Sequence, residues 1–181
     1  FGREVRVRMP LVEATIEINE HQPFKALELA ERELGDLQGR RVAILGLSFK
    51  PGTDDMRGAV SLQIVRELLK KGAHVVAYDP AAINNAKKLL PESVRFSLTA
   101  LDCIDGADCC IVTTEWDEFG SMKPEDFVAR MNVPVIIDGR RVFDPVDFSD
   151  KVHYAALGLG GRRSANSDDR RVSQRSASLL F

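Results

Sequence analysis

The sequence carries almost no net charge, with 25 lysine and arginine residues against 27 aspartate and glutamate residues. Because proteins that bind nucleic acid carry a clear basic excess, we expect no nucleic-acid partner. No apolar run approaches the roughly 20 residues of a membrane-spanning helix. The first residues also lack the apolar centre of a signal peptide. We therefore expect a soluble, cytoplasmic protein with no membrane contact.

Cysteine is scarce, and its three positions have no metal-binding spacing: Cys103, Cys109 and Cys110. The last two lie in an apolar, strand-like run, where a free cysteine behaves as a small hydrophobic residue. We interpret all three as structural and expect no metal site.

The glycine fingerprint of dinucleotide-binding turns, G-x-G-x-x-G, is absent. In the loop after the predicted buried strand that begins at Val42, the three glycine positions of this fingerprint are occupied by Gly46, Ser48 and Pro51. Only the first position fits. This loop is therefore a poor cradle for a pyrophosphate of the usual kind.

The informative stretch that is present reads RVAILGLSFKPGTDDMR, from Arg41 to Arg57. Val42 to Leu47 have the pattern of a strand buried on both faces in a parallel sheet. Lys50-Pro51-Gly52 predict a loop, and Thr53-Asp54-Asp55 predict the capped N-terminus of a helix. In open α/β folds, the crevice at the carboxyl ends of such strands favours anionic groups such as phosphates.

Short apolar runs alternate with helical patterns along the rest of the chain. Strands are predicted at His74–Tyr78, near Arg95, and at Cys109–Thr113, Val133–Ile137 and Val152–Leu157. Helices are predicted at Val60–Leu69, Ala81–Leu90, Thr99–Ile104 and Pro124–Met131. This alternation predicts a doubly wound α/β domain with a mostly parallel, Rossmann-like sheet.

A helical linker is predicted before this domain, from Leu11 to a stop at Gly35. Pro23 removes a backbone N–H from the middle of the pattern, so we expect a kink or break near Asn19 to Gln22. From the residues alone, the segment is an amphipathic helix packed on its own domain.

Two cationic clusters follow predicted strands, and parallel strands end on one edge of a sheet. Lys50 and Arg140 can therefore approach one crevice, where a guanidinium fork suits phosphate or sugar oxygens. Each also has an ordinary interpretation: Lys50 as a solvated loop lysine, and Arg140-Arg141 as a solvated turn. Arg57 would then pair with Asp54 on the first turn of a helix.

Three further residues leave alternatives open. Asp79 ends a strand, as does the acid that binds ribose in dinucleotide folds, but a turn-capping aspartate before proline is favoured. Trp116 and Phe119 could form a pocket rim, but core positions are favoured for them.

The run GLSFKPGTDDMR closely resembles the start of the C-terminal, nucleotide-sugar-binding domain of the UDP-glucose/GDP-mannose dehydrogenase family. Four more motifs agree in order: EATIEINEHQP, LLKKGAHVVAYDP, TTEWDEF and IDGRRVFDP. The resemblance covers Pro10 to Gly160 and looks more like the UDP-glucose branch than the GDP-mannose branch.

The resemblance implies roles for four residues. Phe49, Lys50 and Arg140 match positions that contact the nucleotide sugar, and Arg57 matches an arginine near NAD. The family usually has glutamate after that arginine, whereas this chain has Gly58. This departure removes a carboxylate that could help to hold the loop.

The resemblance also implies an NAD-dependent enzyme that oxidises the C6 hydroxyl of UDP-glucose to a carboxylate. In the family an N-terminal half supplies the dinucleotide fold and a nucleophilic cysteine in its own motif. None of the three cysteines lies in that motif, so we expect no catalytic residue and no turnover by this chain alone. The alternatives are a dehydrogenase of another nucleotide sugar, or a stand-alone nucleotide-binding or interaction module.

Four segments are expected. Residues 1–9 look like a truncation edge or a remnant of cloning, and residues 10–38 form the linker, which in the family makes much of a homodimer contact. Residues 39–161 form the UDP-sugar-binding α/β domain. Residues 162–181 are rich in arginine and serine and predict a disordered tail.

Overall fold

A computed structural model of the protein describes residues 8–159. Its strands are β1 (Arg41–Leu45), β2 (His74–Tyr78), β3 (Arg95–Phe96), β4 (Cys109–Val112), β5 (Val135–Asp138) and β6 (His153–Ala156). Its helices are α1 (Pro10–Leu34), α2 (Val60–Lys70), α3 (Ile83–Leu89), α4 (Ala100–Ile104), α5 (Asp117–Gly120), α6 (Pro124–Arg130) and α7 (Pro145–Ser149).

The six strands form one sheet in the order β3-β2-β1-β4-β5-β6. All five neighbouring pairs are parallel. The strand order reverses between β1 and β4, which is the topological switch point of a doubly wound fold. The predicted fold class, a doubly wound parallel sheet preceded by a helical segment, is confirmed.

Alternating strand residues build two hydrophobic cores, one on each face of the sheet. Val42 and Ile44 of β1 pack in the core that also contains α1 and α2, whereas Ala43 and Leu45 pack in the core under α4 and α6. Both faces are covered, which explains why the strands read as continuous apolar runs.

The three cysteines are free and buried, as predicted. Burial raises the pKa of the Cys103 thiol to about 12 and also raises the pKa of Cys109 and Cys110. They are therefore protonated, inert core residues.

Of the expected kink or break in α1, the break is wrong, because the helix runs without interruption from Pro10 through Pro23 to Leu34; a kink near Asn19 to Gln22 stays a prediction. One backbone hydrogen bond is lost at the proline, but packing holds the segment that follows it. Ala26, Leu27 and Ala30 are all buried, where α1 contacts α2 and β5.

The predicted helix start at Thr53-Asp54-Asp55 is also wrong, since α2 begins at Val60. Thr53 Oγ1 accepts from the Asp55 N–H at 3.1 Å, and Asp55 Oδ1 accepts from the Arg57 N–H at 2.9 Å. Such local side-chain bonds compete with helix formation. The segment therefore forms a loop before α2.

Of the two aromatic residues with open alternatives, Phe119 is fully buried. Trp116 is half-buried and packs against the same core. The core interpretation is confirmed for Phe119, while Trp116 also donates a hydrogen bond from its indole to Asp79.

Residues 1–7 of the first predicted segment and the whole predicted tail, residues 162–181, lie outside the described residues, so both expectations stay predictions. Within residues 8–159, no helix is long and apolar enough to cross a membrane. The same residues contain no cluster of histidine, cysteine and acidic side chains that could hold a metal ion.

Candidate functional site

The predicted crevice depends on where β1 and β5 end. Leu45 of β1 lies opposite Val112 of β4, and Val112 lies opposite Asp138 of β5. The loops that carry Lys50 and Arg140 therefore leave the same edge of the sheet, with β4 between them. β1 and β5 are two strand spacings apart, so their carboxyl ends are separated by about 10 Å.

A groove of about 570 Å³ opens at this edge, between α1, the start of α2 and the ends of β4 and β5. Phe49 and Arg140 both line it, and the Phe49 side chain is exposed at 53%. On the α1 side the wall includes Pro23 and Ala26. The groove thus combines an exposed aromatic ring, a guanidinium and apolar walls, which suits a flat ring joined to an anion.

Arg140 is held at its backbone and at its side chain. Its N–H donates to Asp138 Oδ1 at 3.0 Å, and its Nε donates to Glu115 Oε2 at 2.5 Å. Asp138 is fully buried, and its other oxygen accepts from the Phe143 N–H and the Tyr154 hydroxyl. The guanidinium is therefore presented from a rigid strand end rather than from a free turn.

Lys50 follows Phe49 and is exposed. It does not line the groove itself, and its positive charge contributes, after the Arg57 hydrogen bonds, to the lowered pKa of Asp55. Whether Lys50 joins Arg140 on one ligand stays a prediction.

Arg57 does not line the groove, although its neighbour Gly58 does, and its predicted pairing with Asp54 is wrong. Its side chain is 92% exposed and pairs with Asp55 at 2.8 Å. Hydrogen bonds from the Arg57 side chain lower the pKa of Asp55 to about 2. Asp54 instead accepts from the Asn85 amide at 3.0 Å. All four residues line a second cavity of about 710 Å³.

The backbone between β1 and Phe49 is fully hydrogen-bonded, which the sequence did not reveal. The N–H groups of Gly46, Leu47 and Ser48 donate to the Tyr78 carbonyl and, for the last two, to Asp79 Oδ2. The three carbonyls accept from the hydroxyls of Thr113, Ser61 and Thr114, in that order. The turn is therefore rigid before any ligand arrives.

Asp79 is the centre of this network. Its Oδ1 accepts from the N–H groups of Ala81 and Ala82 at 2.8 and 2.7 Å, which confirms the predicted turn cap. Its Oδ2 accepts from Leu47 and Ser48, and also from Trp116 Nε1 at 3.1 Å. Both oxygens are used within the protein, so the alternative role in binding ribose is not supported.

Removal of the Asp79 charge is expected to cost stability at neutral pH but not in acid. Burial alone would raise the pKa of Asp79, but hydrogen bonds from the Ser48 and Leu47 N–H groups outweigh it and lower the pKa. A lowered pKa stabilises the fold above the ordinary value of about 3.9, and the benefit disappears as pH falls through the folded-state pKa.

Urea unfolding of the parent and of Asp79→Asn between pH 2 and pH 7 measures this effect. The two free energies of unfolding should differ clearly at pH 7, and the difference should begin to shrink only below about pH 4, as the pH falls toward the lowered folded-state pKa. A difference that stays constant across this range would contradict the expectation.

A doubly wound parallel sheet with an aromatic and cationic groove at its carboxyl edge defines a nucleotide-binding α/β protein. The model of the UDP-glucose/GDP-mannose dehydrogenase family, UDP binding domain, matches residues 43–145. The chain belongs to this family and is its C-terminal, UDP-binding domain.

Individual relatives agree with this assignment. The UDP-glucose 6-dehydrogenase AglM of Haloferax volcanii is 42% identical over 132 residues, covering 73% of this chain and 30% of the relative. TuaD of Bacillus subtilis, also a UDP-glucose 6-dehydrogenase, is 39% identical over 161 residues, covering 88% of this chain and 35% of the relative. The chain therefore spans about a third of the length of these relatives.

Solved structures give the same result. A UDP-glucose dehydrogenase of Pyrobaculum islandicum matches with a TM-score of 0.71 at 31% identity, covering 82% of this chain and 34% of that one. An NDP-N-acetyl-D-galactosaminuronic acid dehydrogenase of Methanosarcina mazei matches with a TM-score of 0.67 at 29% identity, covering 78% and 30%.

The turn after β1 does not fit NAD, the cofactor that the resemblance implies. A dinucleotide fold offers free N–H groups at this turn and an acid at the end of β2 for the ribose. Here the N–H groups of Leu47 and Ser48 are bonded to that acid, Asp79. The described residues therefore offer no dinucleotide site of the usual kind.

Proposed function

We propose that this chain is the part of an NAD-dependent UDP-glucose 6-dehydrogenase that holds the UDP portion of the substrate. The observation that carries the proposal is the groove with Phe49 and Arg140, which lies at the sheet edge of a domain of the UDP-binding family. NAD would supply the oxidising power: two NAD molecules used in turn would each take one hydride from C6 of the glucose, with water supplying the second carboxylate oxygen, outside this chain's own residues.

Each predicted residue has a distinct part in binding. The exposed Phe49 ring offers a surface for the flat base or the sugar. Arg140 supplies a charge-assisted donor to a phosphate oxygen, and Lys50, which follows Phe49 directly, adds a mobile point charge. Arg57 is proposed to face NAD in the whole enzyme, because its exposed side chain lines a second cavity that adjoins the groove at Gly58.

Titration of UDP, uridine and NAD into the purified chain tests this function. UDP should bind more tightly than uridine, because the diphosphate meets Arg140 and Lys50, and NAD should not compete with UDP. The chain should not reduce NAD with UDP-glucose, since the proposal assigns the nucleophile and the dinucleotide fold to a preceding half. Turnover by the homogeneous chain, or equal binding of uridine and UDP, would contradict the proposal.

A dehydrogenase of another nucleotide sugar is the second candidate. The similarity to the Methanosarcina mazei enzyme, which is named for a different sugar, favours keeping it open. The groove would bind the nucleotide part in either case. The residues that select the sugar would therefore lie in the preceding half of the enzyme. Activity of the full-length enzyme with a panel of UDP-sugars separates them. A stand-alone binding module would instead bind UDP with no catalytic half encoded upstream.

We also propose a cytoplasmic homodimer that forms through the first half of α1. That half presents Leu11, Val12 and Ile18 at 86%, 52% and 61% exposure. Exposed apolar faces of this kind drive association. The double variant Leu11→Glu, Ile18→Glu is expected to sediment as a monomer at concentrations where the parent is dimeric.

Leu98→Glu is the matched control for this experiment, because Leu98 is 88% exposed but lies outside α1. It should sediment as the parent does. A parent that stays monomeric at high concentration would overturn the dimer proposal without touching the binding proposal.

A further inference from the structure

The turn after β1 surrounds the carboxylate of Asp79, an anion that the protein itself supplies. In dinucleotide folds, the backbone N–H groups of this turn and the start of the next helix receive a ligand's pyrophosphate. Here the N–H groups of Leu47 and Ser48 donate to Asp79 Oδ2 at 2.7 and 3.0 Å, and the Ser48 hydroxyl donates to the same atom at 3.0 Å. The Asp79 carboxylate thus satisfies donors that a ligand would otherwise use.

This carboxylate connects three loops that leave the carboxyl edge of the sheet. Oδ1 caps the loop after β2, while Oδ2 holds the loop after β1 and the indole of Trp116 in the loop after β4. Asp79 is only 1% exposed. A buried carboxylate with partners in three loops holds all three in one relative position, because an unpaired donor buried there would be costly.

The position of the two residues proposed to bind the nucleotide sugar, which follow this turn, depends on Asp79. Phe49 follows Ser48 directly, and Lys50 comes next. Phe49 is also constrained from the other side, where its N–H donates to the Asp55 carbonyl at 2.8 Å. The backbone that leads to the Phe49 ring therefore has its direction set by Asp79 on one side and by the following loop on the other.

We infer that Asp79 is a positioning residue for UDP-sugar binding, an internal anion that fixes the turn presenting Phe49 and Lys50. This inference rests on the proposed function, since it concerns the same groove. It also explains why a fold with dinucleotide-binding topology takes its ligand elsewhere, in the groove against α1.

The test is Asp79→Asn in the full 181-residue chain, titrated with UDP and followed by NMR. The amide keeps the size of the side chain but places an NH2 group against donors, so at least one set of bonds is lost. We expect the UDP dissociation constant to rise at least tenfold. Amide hydrogen exchange at Leu47 and Ser48 should accelerate, while exchange in the centres of β1 and β4 stays comparatively slow.

Asp108→Asn is the matched control. Asp108 also accepts a backbone N–H, that of Arg41 at 2.9 Å, but it precedes β4 and so lies at the opposite edge of the sheet. This variant should bind UDP within twofold of the parent. A purely structural role for Asp79 predicts instead that both variants bind UDP as the parent does whenever they are folded.

Ser48→Ala keeps the inference falsifiable if Asp79→Asn does not fold. It removes one of the three bonds between the turn and Oδ2, and alanine fits a position that is 3% exposed. UDP binding should weaken about threefold, with faster exchange at Leu47. A folded Asp79→Asn or Ser48→Ala variant that binds UDP within the error of the parent overturns the inference.

Failure of the proposed function would look different. If the parent chain does not bind UDP at all, the proposed function is wrong and the binding part of the inference falls with it, while hydrogen exchange in the ligand-free variants still shows whether Asp79 fixes the turn. Unchanged exchange at Leu47 and Ser48 in the folded variants would show that Asp79 does not position the turn.

Discussion

Arg140→Ala is expected to weaken UDP binding by about tenfold to a hundredfold. A hydrogen bond to a charged partner contributes roughly 1.5 to 3 kcal/mol, and each 1.4 kcal/mol corresponds to about tenfold in affinity. Arg140 lines the groove and is fixed by Asp138 and Glu115. Its side chain therefore loses little conformational entropy when a ligand binds. Lys50→Ala should have an effect of the same order if both cations meet the diphosphate.

Calorimetry or NMR titration with UDP and with uridine measures this effect. If the chain alone binds too weakly, the titration is made with the full-length enzyme proposed above. The loss should be larger for UDP than for uridine, because the phosphates are the proposed partners. Stability should change little: Lys50 is an exposed surface residue, where substitutions usually cost less than about 0.5 kcal/mol, and Arg140→Ala loses one partly exposed ion pair with Glu115, worth about 0 to 1 kcal/mol.

Arg141→Ala is the matched control, since it removes the same charge one residue further on. Arg141 is exposed and does not line the groove. A uniform loss in Arg140→Ala and Arg141→Ala would indicate a general effect of charge rather than a contact. Parent-like affinity in both Lys50→Ala and Arg140→Ala would show that the site assignment is wrong.

Gly46→Ala is expected to destabilise the fold by about 2 to 5 kcal/mol. Gly46 has a φ of 94°, a conformation that costs a side-chain-bearing residue roughly 1 to 2 kcal/mol. A Cβ there would also lie 2.6 Å from the Cβ and the backbone nitrogen of Thr114. Overpacking of this kind costs roughly 1 to 3 kcal/mol more. Urea unfolding measures the total.

Gly39→Ala separates the two causes. Gly39 has a similar φ of 72°, but no atom lies within 4 Å of a Cβ placed on it. Its cost should therefore be the conformational part alone, about 1 to 2 kcal/mol. Equal destabilisation of the two variants would contradict a tight approach between the loops after β1 and β4.

The sheet could be predicted from the sequence because its strands are buried on both faces. The short apolar runs around Val42, Val75 and Ile136 have the pattern of strands covered on both faces in a parallel sheet. Their parallel order then placed the loops of Lys50 and Arg140 on one edge without any knowledge of side chains. That part of the site followed from topology alone.

The errors came from local hydrogen bonds and from packing. Thr53 and Asp55 have the side chains of a helix cap, but they bond to backbone groups within their own loop and delay α2. Pro23 predicts a break only if nothing outside the helix holds the following turns together, and Ala30 shows that burial does so.

The Asp79 network lay beyond the sequence for a different reason. Apart from the predicted cap on Ala81 and Ala82, its bonds join residues 31 to 37 positions apart, from Leu47 and Ser48 to Asp79 and from Asp79 to Trp116. No periodicity marks such pairs, because a hydrogen bond between loops depends on where the strands end and not on spacing along the chain.

The position of α1 has a consequence for the whole molecule. One side of this 25-residue helix carries Pro23 and Ala26 to the groove, while its first half leaves Leu11 and Ile18 uncovered. A partner that packs against the exposed first half of α1 and a nucleotide that fills the groove would both contact this one helix. Any free-energy coupling between these two events must be reciprocal, so nucleotide affinity and self-association would respond to each other by the same factor.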